Sequence, residues 1–130
     1  MSLAPILGMM RGYGLGIAVE APILLVFLSR RHTWKQRLFA GVWLTACSYP
    51  IVYMAMPAIP LISQSRGLYG VVAETFAAAS ECAIFWWAFD RRVSGRREIA
   101  RNCLVIIAAN VASFLAGEAV VALYPHFFTA

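Results

Sequence analysis

The chain alternates between long apolar runs and short polar breaks. Four runs, about 12–28, 38–56, 68–89 and 103–123, carry almost no charge, and the first extends back into "LAPILGMM". Each approaches or exceeds the 17–25 residues, roughly, that cross a bilayer as a helix. The breaks are "SRRHTWKQR", "PAIPLISQSRG" and "DRRVSGRREIAR", with Gly, Pro or charge where a helix must stop or turn. The pattern predicts an all-α integral membrane four-helix bundle. It forms one transmembrane domain, 1–130, with one helical hairpin over about 12–56 and a second over about 68–123.

Composition sharpens this picture. Of 130 residues, 62% are hydrophobic and 13% charged, and the mean hydropathy is +0.73. A soluble domain carries about a quarter charged residues; this chain would expose apolar area that water does not tolerate. The N-terminus lacks a basic region before its apolar stretch, so the first helix is expected to be retained rather than cleaved. Cys47, Cys82 and Cys103 are far apart and read as buried apolar thiols.

The net charge of +5 raises the question of nucleic acid. Placement answers it. Arg30, Arg31, Lys35 and Arg37 fall in the first break, and Arg91, Arg92, Arg96, Arg97 and Arg101 in the third. Only Arg11 and Arg66 fall on the other side. Such a bias keeps short basic loops cytoplasmic. Both termini are therefore expected outside, in what reads as a bacterial or archaeal inner (cytoplasmic) membrane. The expected partners of the loops are anionic lipid headgroups, not nucleic acid. Trp34, Trp86, Trp87 and Phe89 are placed as an inner aromatic belt, and Tyr13, Tyr69 and Tyr124 as an outer one.

Two segments share one plan. "AVEAPILLVFLSRR" and "SECAIFWWAFDRR" both place a glutamate ten residues before a pair of arginines: Glu20 before Arg30, Glu81 before Arg91. Both following spans carry small polar clusters, "TACSYP" and "ANVASF". The chain reads as two similar hairpins, a parallel internal repeat.

At 1.5 Å per residue, ten residues set Glu20 and Glu81 about 15 Å from the basic boundary, near mid-bilayer. Ser48, Asn110 and Ser113 fall at the same level by the same count. Glu74 and Glu118 lie about 25 Å from that boundary. There they are expected to make outer ion pairs with Arg11 or Arg66. A midplane carboxylate costs at least about 2.5–3.5 kcal/mol, so it must be protonated, paired or wet. No Lys or Arg shares the level of Glu20 and Glu81. Pro22 and Pro50 leave the Ala18 and Ala46 carbonyls without helical donors, and such carbonyls are candidate cation ligands beside the carboxylates.

No catalytic motif, metal motif or cofactor fingerprint occurs, so neither an enzyme nor a cofactor is expected. His32 and His126 lie at opposite ends of the spans. Two functions fit. One is a proton- or cation-linked transporter or channel component that uses Glu20, Glu81, Asn110, Ser48 and Ser113. The other is a non-catalytic accessory subunit whose polar residues hold helices together. Four short helices enclose little space, so a homo-oligomer or a larger membrane complex is expected. A membrane-embedded glutamate in the first of four helices, Glu20 in "YGLGIAVEAP", resembles the small multidrug-resistance transporters. Glu74, Glu81, Glu118 and the long basic third loop depart from that pattern.

The charge bias makes a direct prediction. A cysteine introduced at Ser94 will be shielded from an impermeant thiol reagent in intact cells, and one at Ser63 will label. Labelling at Ser94 alone would reverse the orientation.

Overall fold

The computed structural model describes residues 3–62, 64–92 and 95–127; the side chains of Pro5 and Arg66 lie outside what it describes. It is all-helical. Helix α1 spans Ala4–Phe27 and α2 spans Trp34–Pro50, which runs on through a wide π turn (Ile51–Ala55) and a tight turn (Met56–Ala58). Helix α3 spans Arg66–Phe85 with a π turn over Trp86–Asp90, and α4 spans Arg96–Leu123. All four are long and apolar enough to cross a membrane, which is consistent with an integral membrane protein.

Local chemistry sets the ends. The Thr33 hydroxyl accepts the Gln36 N–H while the Gln36 side chain accepts the Thr33 N–H, a capping box that starts α2. Ser65 caps α3 by accepting the Leu68 N–H. At the end of α1 the Ser29 N–H turns to the Asn102 side chain. That leaves the Leu25 carbonyl without its helical donor, and Arg37 Nη1 donates to it instead. Helix α4 begins seven residues before the apolar run, because Arg96, Arg97 and Arg101 stay on exposed positions of its first turns.

Each helix packs mainly on two neighbours: α1 on α2 and α4, and α3 on α2 and α4. The α1–α2 approach is close. A Cβ at Gly41 would sit 2.7 Å from the Ala21 Cα, so only glycine fits there without a shift. The apolar core is Leu24, Leu28, Ala40, Leu44, Phe85, Ile106 and Ala109. It lies toward the basic end of the bundle, and large side chains on the outer faces, such as Val26, Phe39 and Leu104, are exposed as lipid contact requires.

One aromatic position, Tyr69, differs from the expected belts. Tyr13 donates to the Val42 carbonyl at 3.1 Å, and Tyr69 donates to the Val52 carbonyl. The Tyr69 bond has a local cause. In the π turn the donor for Val52 would be residue 57, and Pro57 has no N–H. Tyr69 therefore bonds backbone between the helices rather than marking the surface, whereas the Tyr13 bond is made at an exposed position, in keeping with a surface place. Trp34, Trp87 and Tyr124 are well exposed.

Gly41→Ala should force α1 and α2 apart and cost about 1–3 kcal/mol, the usual range for overpacking. Gly14→Ala meets nothing within 4 Å and should be neutral or mildly stabilising. Thermal unfolding in detergent compares the two; equal midpoints would refute the close contact.

Candidate functional site

Glu20 on α1 and Glu81 on α3 are buried, 4% and 2% exposed, and each is held by two side chains. Thr45 donates to Glu20 Oε2 at 2.8 Å and Ser113 to Glu20 Oε1 at 2.7 Å. Ser48 donates to Glu81 Oε1 and the Asn110 amide to Glu81 Oε2, both at 2.7 Å. Helix α2 thus supplies one donor to each carboxylate, from Thr45 and Ser48. Helix α4 does the same from Asn110 and Ser113. Within each pair the spacing is three residues, which puts both side chains on one helix face.

The partners of Glu20 are adaptable. Thr45 Oγ1 also lies 3.0 Å from the Gly41 carbonyl, and Ser113 Oγ lies 3.3 Å from the Asn110 carbonyl. A hydroxyl has one proton and can also accept. When Glu20 is ionised, both hydroxyls donate to it. When Glu20 carries a proton, it donates to one hydroxyl, which turns its own proton to the spare carbonyl. No heavy atom moves. Glu81 is less symmetric, because Asn110 Nδ2 can only donate; a proton on Glu81 belongs on Oε1, toward Ser48.

These residues form the floor of a cavity of about 340 Å³. Its walls rise away from the basic end past Gly16, Tyr49, Tyr69, Glu74 and Phe114 to Gly12 and Val121. Below the floor, toward the basic end, the core residues Leu24, Leu44, Phe85 and Ile106 close the bundle.

The second acidic level is placed as follows. Glu74 and Glu118 both line the cavity, Glu118 at an exposed position. Glu74 Oε2 is buried without a hydrogen-bond partner among the described residues. Arg11 donates to the Phe127 carbonyl at 3.0 Å. The Arg66 side chain lies outside the described residues. Pro22 and Pro50 occupy exposed positions, and neither Ala18 nor Ala46 lines the cavity. The freed carbonyls therefore do not face the carboxylates: each proline sits on the helix face opposite the polar one, and its unbonded carbonyl follows.

A second buried network lies at the basic end. His32 Nε2 meets Asp90 Oδ1 at 2.7 Å, with both side chains nearly inaccessible. Asn102 Nδ2 donates to both Asp90 oxygens at 3.0 and 3.1 Å, and Asn102 Oδ1 accepts the Ser29 N–H at 2.9 Å. The rings of Phe85 and Phe89 pack edge-on to His32. Outside it Arg31 pairs with Glu98 at 2.7 Å. Sequence reasoning missed Asp90, His32 and Asn102 as a unit and Thr45 as a partner of Glu20. A signal existed: Ser29 and Asp90 each lie nine residues after their glutamate, and both bind Asn102. Among the described residues, no three His, Cys, Asp or Glu converge as a metal site.

No protein-family model matches the chain, and no curated protein and no solved structure matches it.

Asn102→Leu removes both Asn102 bonds from Asp90 and strands the buried Ser29 N–H. It should cost at least about 2 kcal/mol in thermal unfolding. Ser80→Ala, which loses only a bond to the Ala77 carbonyl of its own helix, is the neutral comparison. Equal midpoints would show that the Asn102 network carries no stability.

Proposed function

We propose that the protein is a small proton- or cation-linked membrane transporter or channel component, with Glu20 and Glu81 as its ion-carrying groups. One observation carries the reading: two interior carboxylates form the floor of a cavity that reaches one end of the bundle, while an apolar plug closes the other. With the basic loops in the cytoplasm, that cavity faces outward. A carboxylate there is within reach of protons and cations from one side only, as a half-pathway requires. Among the described residues the lining contains four carboxylates, Glu20, Glu74, Glu81 and Glu118, and no Lys, Arg or His. Its field therefore favours cations.

The arrangement of donors also supports two similar hairpins. Thr45 serves its own hairpin's carboxylate and Ser48 the other's. Asn110 serves its own and Ser113 the other's. Exchange of the halves maps one set onto the other, as a twofold axis along the membrane normal would do.

A second reading, an accessory subunit of a larger membrane complex, is favoured by the full bonding of both carboxylates. Groups tied to two other helices are good interhelical glue. The Glu→Gln variants separate the two. At position 81 a Gln can present its oxygen to Asn110 and its amide to Ser48. At position 20 both neighbours are hydroxyls and accept either end. Glu20→Gln and Glu81→Gln should therefore assemble with near-normal stability. In liposomes loaded with a proton-sensitive dye, they should lose the pH-driven flux of the wild type. A fully active double variant would end the transport reading, and failure of either single variant to assemble would favour the accessory one.

A further inference from the structure

A second concavity, about 610 Å³, lies at the basic end between the α1–α2 loop and the end of α3. Arg31, Arg91 and Arg92 line it together with Gln36, and Trp87 and Phe89 form an apolar wall. Among the described residues no carboxylate lines it. Two of its cations have partners that hold them. Arg31 is fixed through Nε by Glu98 at 2.7 Å. Arg91 is anchored at its N–H by the Trp86 carbonyl at 2.8 Å, and its guanidinium lies 5.7 Å from the Trp87 ring centroid. Beneath them His32 is locked by Asp90, so the floor is rigid.

Position decides the ligand. The third span ends at Asp90 and the second begins at Trp34, so the pocket sits at the edge of the apolar zone. That is where lipid phosphates lie. Guanidinium groups match phosphate oxygens by shape as well as charge. Trp87 is 60% exposed beside them, and an indole at this depth suits the glycerol and first methylenes of a lipid. We propose that this pocket is a binding site for a phosphate-bearing anion, supplied by the headgroup of an anionic phospholipid. The proposal is independent of the carboxylate site.

Basic loops also set topology, so the test must separate a built pocket from loop charge. Arg96 and Arg97 belong to the same basic segment as Arg91 and Arg92 but do not line the pocket. R91Q/R92Q and R96Q/R97Q therefore remove equal charge. Protein is released from phosphatidylcholine nanodiscs with and without phosphatidylglycerol, and retained lipid is counted by native mass spectrometry. The wild type should keep phosphatidylglycerol in preference to phosphatidylcholine. R91Q/R92Q should bind it about tenfold more weakly, R92Q alone should fall between, and R96Q/R97Q should stay close to the wild type. The single variant keeps the test decisive if the double one misfolds. Glycerol phosphate, added as a soluble competitor, separates the sources. Displacement of the lipid from wild type would support the phosphate chemistry and add free phosphate esters as a source. Absence of displacement would support the lipid alone. Equal retention of the two lipids, or equal loss in both double variants, would overturn the proposal.

Discussion

The satisfaction of two buried carboxylates is the constraint on which this bundle depends. Neither Glu20 nor Glu81 has a cationic partner at its level, and neither reaches bulk water directly. Each must therefore find its hydrogen bonds on other helices. The four donors come from α2 and α4, so those helices must stand at one height and one rotation relative to α1 and α3. A shift of one residue would turn Thr45 and Ser48, or Asn110 and Ser113, away from their acceptors. Apolar packing in lipid lacks this directional power, because a lipid tail is as good a neighbour as a leucine.

Much of the axial arrangement was legible in the sequence. Counting residues from the arginine pairs set Glu20, Glu81, Ser48, Asn110 and Ser113 at one depth, and the bundle does join them. Counting gives height but not rotation, and the rest depended on rotation. Pro22 and Pro50 have the right height, yet they sit on exposed faces. Tyr69 has the height of an interfacial anchor, but the carbonyl left bare by Pro57 draws it inward. Asp90 read as the polar stop of a span, and His32 as a loop residue. Their pairing depends on how the first loop folds across the end of α3, which no periodicity reports. Asn102, Ile106, Ala109, Asn110 and Ser113 do follow one helical stripe, so the inward face of α4 was open to reading.

The two polar layers divide the labour of a small bundle. The carboxylate layer ties all four helices together at mid-height. The Asp90 layer ties α3, α4 and the first loop at the basic end, where α1 gives up its last helical bond to join it. Between them lies the apolar core, thin but complete. Four helices cannot enclose much space, and the cavity that reaches the carboxylates opens toward one end of the bundle. Toward the basic end the apolar core and the Asp90 layer separate the carboxylates from the surface, so any passage through this chain requires both to open together.

The reversible hydroxyls around Glu20 have a consequence for speed. Where a change of charge obliges helices or domains to move, the response takes microseconds or longer. Here the response is rotation of a C–O bond, which belongs to the picosecond-to-nanosecond range of side-chain motion. The carboxylate and its two hydroxyls are arranged like a capacitor with fixed plates: a change of charge would leave the geometry standing still. If Glu20 exchanges protons as proposed, its pace would be set by their arrival along the cavity rather than by rearrangement of these hydroxyls.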